Sequence, residues 1–369
     1  MDFTVITSAP LVKKADGYYA YGPYVREMEI WARHTGRMHF ACPVMADTDG
    51  LFTRIDFPVG KIYPLRSFDV KSAKGTLRAI RFSIINFWMI FQAMKAAGHI
   101  HLRCPGNIGL MGCLVQILFP KKKKTAKYAG NWDPNSQQPL SYRMQKWLLN
   151  NTFLTRNMQV LVYGEWPGSS KNIKPFFTAT YWESDKLKLT GKELQAPIEF
   201  VFAGSLAVGK RPKYALELIR FLKNSGMQCR LRFFGDGSQR RDLEDFIQAN
   251  NLQDTAQLCG NQPAEVVAQA FRESHFAILP SKSEGWPKAV AEAMFWECLP
   301  MATPVSCVPY MLDSGRRGII LSLNAQKDSE SIRQLMANPE MYRKKVTDAA
   351  LWSRQFTLDL FEDEIVTLL

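Results

Sequence analysis

The 369-residue chain has no apolar run long enough to cross a bilayer unaided. The longest, Ile84 to Ala97, is interrupted by Asn86, Gln92 and Lys95 and reads as a core helix. No basic flank precedes the apolar residues of Met1 to Pro10. That stretch therefore reads as a first strand, not a signal peptide, and a cytoplasmic protein is expected. The cysteines at 42, 104, 113, 229, 259, 298 and 307 show no paired short spacing, which excludes a disulfide scaffold or zinc ribbon and leaves reduced, packed thiols. His34, His39, His99, His101 and His275 have no metal-ligand partner by spacing, and no Asp-x-Asp segment stands in a suitable loop, so no metal is expected. Low-complexity segments and short internal repeats are also missing. Acidic residues are the minority, 34 against 47 Lys and Arg, a formal charge of +13.

What is present is enough for a large core. Hydrophobic residues make up 46% and charged residues 22%, which excludes a disordered chain. The length exceeds what one core holds and implies two domains of roughly 150 to 200 residues. Lys121 to Lys124 form an unbroken basic run that suits an anionic membrane, a phosphorylated ligand, nucleic acid or simply a solvated face, and charge alone does not choose among them.

From Ile198 onward, β-branched or aromatic runs alternate with amphipathic segments. Strands are expected at Ile198 to Ala203, Cys229 to Phe234, Thr255 to Leu258 and Phe276 to Leu279. Helices are expected at Pro212 to Lys223, Ser238 to Asn250, Glu265 to Phe271 and Pro287 to Cys298. A repeating strand and helix unit implies a parallel sheet covered on both faces.

The first half is a looser version. Strands are expected at Phe3 to Ser8, Met38 to Pro43, Ile100 to Arg103 and Val160 to Tyr163, with helices at Tyr24 to His34, Ile84 to Ala97, Gly109 to Leu118 and Tyr142 to Phe153. Asp47 to Gly75 is less regular and suits an extra hairpin or surface loop. The charged stretch between Tyr181 and Glu199 marks the domain change. The expected division is 1–185, 186–350 and a helical tail at 351–369 that packs back on the first domain, broken near Arg354 to Thr357.

The sharpest motif is the strand Phe276 to Leu279 followed by Pro280-Ser-Lys-Ser-Glu284-Gly-Trp-Pro287 and the helix carrying Lys288 and Glu292. Gly285 permits close backbone approach, Pro287 suits a first helical turn, and free amides at a helix start receive a diphosphate. Glu284 and Glu292 would accept hydrogen bonds from sugar hydroxyls. The competing reading makes Glu284 a solvated loop charge and Glu292 an exposed or capping residue.

Glu284 and Glu292, with seven residues between them, and the later Pro300-Met-Ala-Thr303 resemble the pattern of retaining GT-B glycosyltransferases of the GT4 type. The resemblance implies an α/β fold of two Rossmann-like domains, their parallel sheets facing across a cleft. It also implies transfer of a hexosyl group from a nucleoside diphosphate sugar, UDP or GDP, to an acceptor hydroxyl with the anomeric configuration retained, in polysaccharide or glycolipid synthesis. Gly204-Ser-Leu-Ala-Val-Gly-Lys210-Arg211 is similar to the family's diphosphate loop, with Ser205 where arginine is usual. Lys210 and Glu284 become the catalytic candidates. Gly204, Ser205, Lys210, Arg211, Gly235, Gly285, Trp286, Pro287, Lys288, Glu292 and, in Tyr21-Gly22-Pro23-Tyr24, Gly22 become donor-binding candidates.

Read without the resemblance, Lys210 and Arg211 are a basic pair before Pro212, equally at home in an ordinary loop, and Gly235-Asp-Gly237 is a bare turn. Tyr24, after the loop that follows the first strand, Arg103 and Asn107 at the end of the Ile100 to Arg103 strand, Asp133 in Gly130-Asn-Trp-Asp133, and Glu165 after the Val160 to Tyr163 strand are candidates for acceptor or cleft contact. The implied partners are a nucleotide sugar, a carbohydrate or lipid-linked acceptor and an anionic leaflet touched peripherally at the inner face of the cytoplasmic membrane. A nucleotide-sugar epimerase and a non-catalytic sugar-nucleotide-binding protein share the sheet pattern. A nucleic-acid binder would use the charge, but the chain has neither zinc-finger spacing nor an RNA-binding aromatic signature, so no nucleic acid is expected.

Overall fold

The computed structural model describes residues 1–46, 52–66 and 73–369, and the chain divides into two compact units, Met1–Phe176 with Glu362–Leu369, and Phe177–Phe361. Of the irregular Asp47 to Gly75 segment, residues 47–51 and 67–72 lie outside the described residues.

The first unit carries β1 (Phe3–Ile6), β2 (Leu11–Lys14), β3 (Gly17–Tyr21), α1 (Gly22–Arg33), β4 (Met38–Met45), β5 (Phe52–Arg54), β6 (Val59–Leu65), α2 (Ala73–Ala96), β7 (His99–Cys104), α3 (Asn107–Val115), β8 (Lys123–Tyr128), α4 (Leu140–Leu149), β9 (Met158–Tyr163) and β10 (Ile173–Phe176). Among the described residues ten strands form one sheet in the order β10-β9-β8-β7-β1-β4-β2-β3-β5, with β6 also on β4. The ladders are parallel except at β2–β3 and β3–β5. The β2–β3 hairpin separates β1 from α1, so the Tyr21 to Tyr24 segment follows the third strand, whereas the sequence alone suggests that it follows the first. Asn86, which breaks the longest apolar run, is fully buried and exchanges hydrogen bonds with the Arg66 backbone at 2.8 and 2.9 Å, satisfying an amide that the core would otherwise exclude.

The second unit carries β11 (Ile198–Ala203), α5 (Pro212–Asn224), β12 (Cys229–Phe234), α6 (Arg240–Ala249), β13 (Ala256–Leu258), α7 (Ala264–Glu273), β14 (Phe276–Leu279), α8 (Lys288–Phe295), β15 (Leu299–Ala302), α9 (Val308–Met311), β16 (Ile319–Ile320), α10 (Ala325–Ala337), α11 (Pro339–Ser353) and α12 (Leu358–Leu368), whose last residues belong to the first unit. Its sheet is wholly parallel, in the order β13-β12-β11-β14-β15-β16. Phe200, Phe202, Phe233 and Phe276 fill the sheet faces, with Phe200 stacked on Phe276 at 5.3 Å. α5 turns Ala215, Leu218, Ile219 and Leu222 onto this core, the spacing of one helical face, each large side chain contributing about 1.5–3 kcal/mol.

Strand order reverses at β11, which has β12 on one side and β14 on the other. The crevice beyond the carboxyl ends of strands at such a reversal is where open α/β sheets take ligands. The loops that follow β11 and β14 are those singled out from sequence.

Candidate functional site

After β11 the chain passes Gly204 and Ser205, makes a 3₁₀ turn at Val208–Lys210 and places Arg211 in the left-handed region (φ 51°) before Pro212 opens α5. After β14 the loop from Pro280 runs alongside it. The Lys282 amide donates to the Gly209 carbonyl at 2.8 Å and joins the two loops. Their charged side chains then meet, Lys210 Nζ lying 2.5 Å from Glu284 Oε1, with the carboxylate 8% exposed and the ammonium 29%. A charge pair this shielded keeps more of its Coulomb attraction than one in open water.

The Gly285 carbonyl accepts from Ser306 Oγ and Cys307 Sγ, both at 3.1 Å, which fixes the peptide leading into α8. Burial pushes the Cys307 thiol up to about 12, so it serves as a neutral donor. Pro287 stands at the cap of α8, one residue before the first turn in which the sequence reading had put it. The first intrahelical bond is made by Val290 to the Pro287 carbonyl, so Lys288 and Ala289 form the first turn, the position where helix starts receive anions. Farther along α8, Glu292 Oε1 accepts from Thr180 Oγ1 at 2.8 Å. Burial first, and the Glu292 charge second, push the Tyr181 phenol above its ordinary range.

The turn after β12 closes on the β11 loop. Gly204 donates to the Phe234 carbonyl at 2.9 Å and Leu206 to that of Asp236 at 3.0 Å. At Gly235 (φ +135°) a Cβ would stand 2.0 Å from the Gly204 carbonyl oxygen, so only glycine fits. The turn that was weak as a motif is thereby required by the approach of two backbones.

Other expected donor residues are placed differently. Ser205 is exposed. Arg211 directs Nη1 toward the Pro280 carbonyl at 3.5 Å. The Trp286 ring is buried, stacked on Trp352 at 6.1 Å and edge-on to Phe356 at 5.5 Å, so its side chain packs the loop from beneath.

The remaining candidates lie in the first unit. Gly22 begins α1, where a Cβ would be 2.9 Å from Thr53 Oγ1, and Tyr24 is buried beneath the Arg103 guanidinium, 5.3 Å from its ring centre. Asn107 is exposed at the start of α3, Asp133 is half-buried and Glu165 exposed. Arg103 is bound by Glu27, whose second oxygen is 3.0 Å from Lys127 Nζ. Burial favours the neutral acid, yet the two cations outweigh it and hold the Glu27 carboxyl far below the usual range.

Glu27, Lys127 and Thr180 were not foreseen. Lys127 had left one signal, a lysine inside the buried run Thr125-Ala-Lys-Tyr128. Of the basic run, Lys121 and Lys123 are exposed, but Lys122 caps the carbonyls of Lys95 (2.7 Å) and Ala97 (2.5 Å), and Lys124, 1% exposed, caps those of Gln116 (3.3 Å) and Phe119 (3.0 Å). An unbroken solvated basic face is therefore not what the four lysines form. Among the described residues no group of three or more His, Cys, Asp or Glu is placed to hold a metal, and no helix is long and apolar enough to cross a membrane.

Residues 188–352 match the family described as Glycosyl transferases group 1. A protein of Salmonella typhimurium strain LT2 named for colanic acid biosynthesis, the glycosyltransferase WcaL, is 23% identical over 295 residues, 73% of this chain and 72% of its own. Among solved structures, HepE of Anabaena in complex with UDP is similar with a TM-score of 0.70 at 12% identity, covering 99% of this chain and 98% of that one. Sucrose-phosphate synthase of Thermosynechococcus elongatus gives 0.67 at 15% identity, covering 100% and 98%.

Proposed function

We propose that the chain, which matches the group 1 glycosyl transferases over residues 188–352 and shares the fold of solved GT-B structures, transfers a hexosyl group from a nucleoside diphosphate sugar to an acceptor hydroxyl with the anomeric configuration retained. The observation that carries this reading is the Lys210–Glu284 pair, set beyond the carboxyl ends of β11 and β14 beside the amides at the start of α8.

In this reading the diphosphate lies on the α8 amides and Lys210. Negative charge grows on the departing phosphate as the glycosidic bond breaks, and these fixed donors stabilise it more than they stabilise the ground state. Glu284, released in part from Lys210 by the phosphate, accepts hydrogen bonds from the transferred sugar and offsets positive character at its ring. Glu292, held by Thr180, takes the ribose hydroxyls. The incoming hydroxyl approaches on the face the phosphate leaves. Protein cations and amides serve as the diphosphate clamp, with no metal required.

The complexes of HepE with UDP and with UDP-glucose support a uridine donor, with GDP the next to test. The name of WcaL supports a role in polysaccharide synthesis. Asn107, Asp133 and Glu165 are proposed for contact with the acceptor, a carbohydrate or lipid-linked carbohydrate. A membrane contact is supported by Ile84, Ile85 and Trp88 on α2 and by Leu118, all exposed, with a ring ladder running from Trp88 through Phe91 to Phe119 and with Lys121 and Lys123 beside it. Apolar side chains flanked by ammonium groups suit the surface of an anionic leaflet, on the cytoplasmic side.

The test is turnover of UDP-, GDP- and ADP-sugars with sugar, lipid-linked and small-molecule acceptors, reading released diphosphate and product anomer, with Glu284→Ala as control. Acceptor-dependent release of one nucleotide, lost in the variant, is expected. Failure of every donor to bind overturns the reading. Trp88→Glu should lower sedimentation with anionic vesicles while donor binding is kept.

A further inference from the structure

Trp132, Trp147 and Trp166 come from three separate segments of the first unit and line one groove of about 480 Å³, a volume in the range of ligand pockets. Trp132 follows β8 and Trp166 follows β9, and these strands are parallel neighbours, so the groove lies beyond their carboxyl ends. Trp147 is on α4.

Two of the three indoles, Trp132 and Trp166, are held in defined poses. Trp132, 5% exposed, stands edge-on to Tyr128 at 4.9 Å and has Lys146 Nζ 5.6 Å from its ring, with that ammonium fixed by the Asp133 carbonyl at 2.8 Å. Trp166 Nε1 donates to the Tyr163 carbonyl at 2.7 Å, which satisfies its polar edge. Trp147 is 62% exposed, although folding alone would favour burying so large an apolar ring. Asn150, Thr152 and Ser169 supply polar atoms along the same groove, and the Asn150 oxygen is oriented by the amide and hydroxyl of Ser170, both at 2.9 Å.

A pyranose presents apolar C–H faces and a rim of hydroxyls. Indole faces suit the former, while amide, hydroxyl and ammonium groups suit the latter. Among the described residues no carboxylate lines the groove, so no fixed negative charge there opposes a uronic acid.

We propose that this groove holds the non-reacting residues of an oligosaccharide acceptor, so that the enzyme extends a glycan chain and does not act chiefly on single sugars. The inference rests on the transferase reading above and narrows its acceptor to an oligosaccharide. Remote contacts of this kind lower the acceptor KM as the chain lengthens and leave the donor site untouched.

The experiment uses the full chain and the donor that turns over, with linear glucan and galacturonan oligosaccharides of two to six residues, the parent monosaccharides, and anionic vesicles. Wild type, Trp147→Ala and Ser169→Trp are compared by calorimetry without donor and by acceptor KM with it. Both substitutions are at exposed positions. Oligosaccharide affinity should rise with length, and each variant should raise KM for the longer acceptors about tenfold while the KM for monosaccharide and for donor stays constant. Equal KM values at all lengths, unchanged variants, or loss of vesicle binding alone overturn the inference. Donor turnover without length dependence refutes the groove but not the transferase. Oligosaccharide binding lost in both variants, with no donor bound by wild type, refutes the transferase instead.

Discussion

The Lys282 amide and the Gly209 carbonyl, 2.8 Å apart, tie the loop after β14 to the loop after β11, and the side chains brought together by that bond are Lys210 and Glu284. A cation and an anion are thus held at the strand-order reversal before any donor arrives. Lys210→Ala is expected to lower kcat by about 10²–10³, the usual effect of removing one preorganised donor. It should also destabilise the fold by about 1–3 kcal/mol, because Glu284 is left shielded without its cation. The double variant Lys210→Ala with Glu284→Gln should recover that stability without recovering kcat, as read by urea unfolding beside steady-state kinetics.

The clamp consists of an ammonium group and main-chain amides, so turnover in excess EDTA is expected to equal turnover with added magnesium. A large fall with chelator, restored by the metal, would assign the diphosphate to an ion.

Gly235 carries a backbone requirement that no side chain meets. Gly235→Ala places a methyl group 2.0 Å from the Gly204 carbonyl and also a side chain at φ +135°. A loss of at least about 2 kcal/mol is expected in denaturant unfolding. Because the displaced strand end bears the diphosphate loop, donor affinity should fall as well.

The second unit was the more legible in the sequence, since its strands are buried on both faces and alternate with one-sided helices: β11, β12 and β14 begin and end where the apolar runs do. β8 was missed because it opens on lysines, and β2, β3 and β5 because short, half-exposed strands leave no apolar run. Lysine-rich stretches misled for one physical reason. Lys122, Lys124 and Lys192 all turn their ammonium groups onto carbonyls at helix ends, Lys192 onto Phe271 (3.1 Å) and Ser274 (2.7 Å) at the close of α7. A charge count does not distinguish a capping lysine from a solvated one. Glu284 and Glu292 were legible because their spacing is local. The partners Thr180 and Lys210 come from distant segments, and the basic pair before Pro212 marked Lys210 as an anion-site lysine without showing that it meets Glu284.

Acid stability follows from buried imidazoles. Burial lowers His99 in the first unit and His275 in the second from near 6.5 to about 4. The His275 Nδ1 accepts from the Glu199 amide at 3.0 Å, a bond that needs the unprotonated nitrogen. Between pH 6.5 and 4 the unfolded chain binds these protons and the folded chain does not, so stability falls as pH falls through that window, by about 3 kcal/mol per histidine in full, and is level above about pH 7. His275→Gln should lower stability at neutral pH but flatten its decline between pH 6.5 and 4, as measured by urea midpoints across that range.

Glu27 is the carboxylate that makes two buried cations tolerable. From α1 it pairs with Arg103 on β7 and Lys127 on β8 and offsets one of their two charges, where the first unit's strand order reverses about β1. Glu27→Gln keeps the shape and removes the charge, leaving Arg103 and Lys127 facing one another in a shielded space. A loss of about 3–5 kcal/mol is expected, the usual effect of breaking a buried ion pair from one side. If charge and not packing is the cause, Lys127→Met in the Glu27→Gln background should restore part of the loss, and the two changes should be strongly non-additive in a double-mutant cycle. Additive losses would show that Glu27 acts through its packing alone.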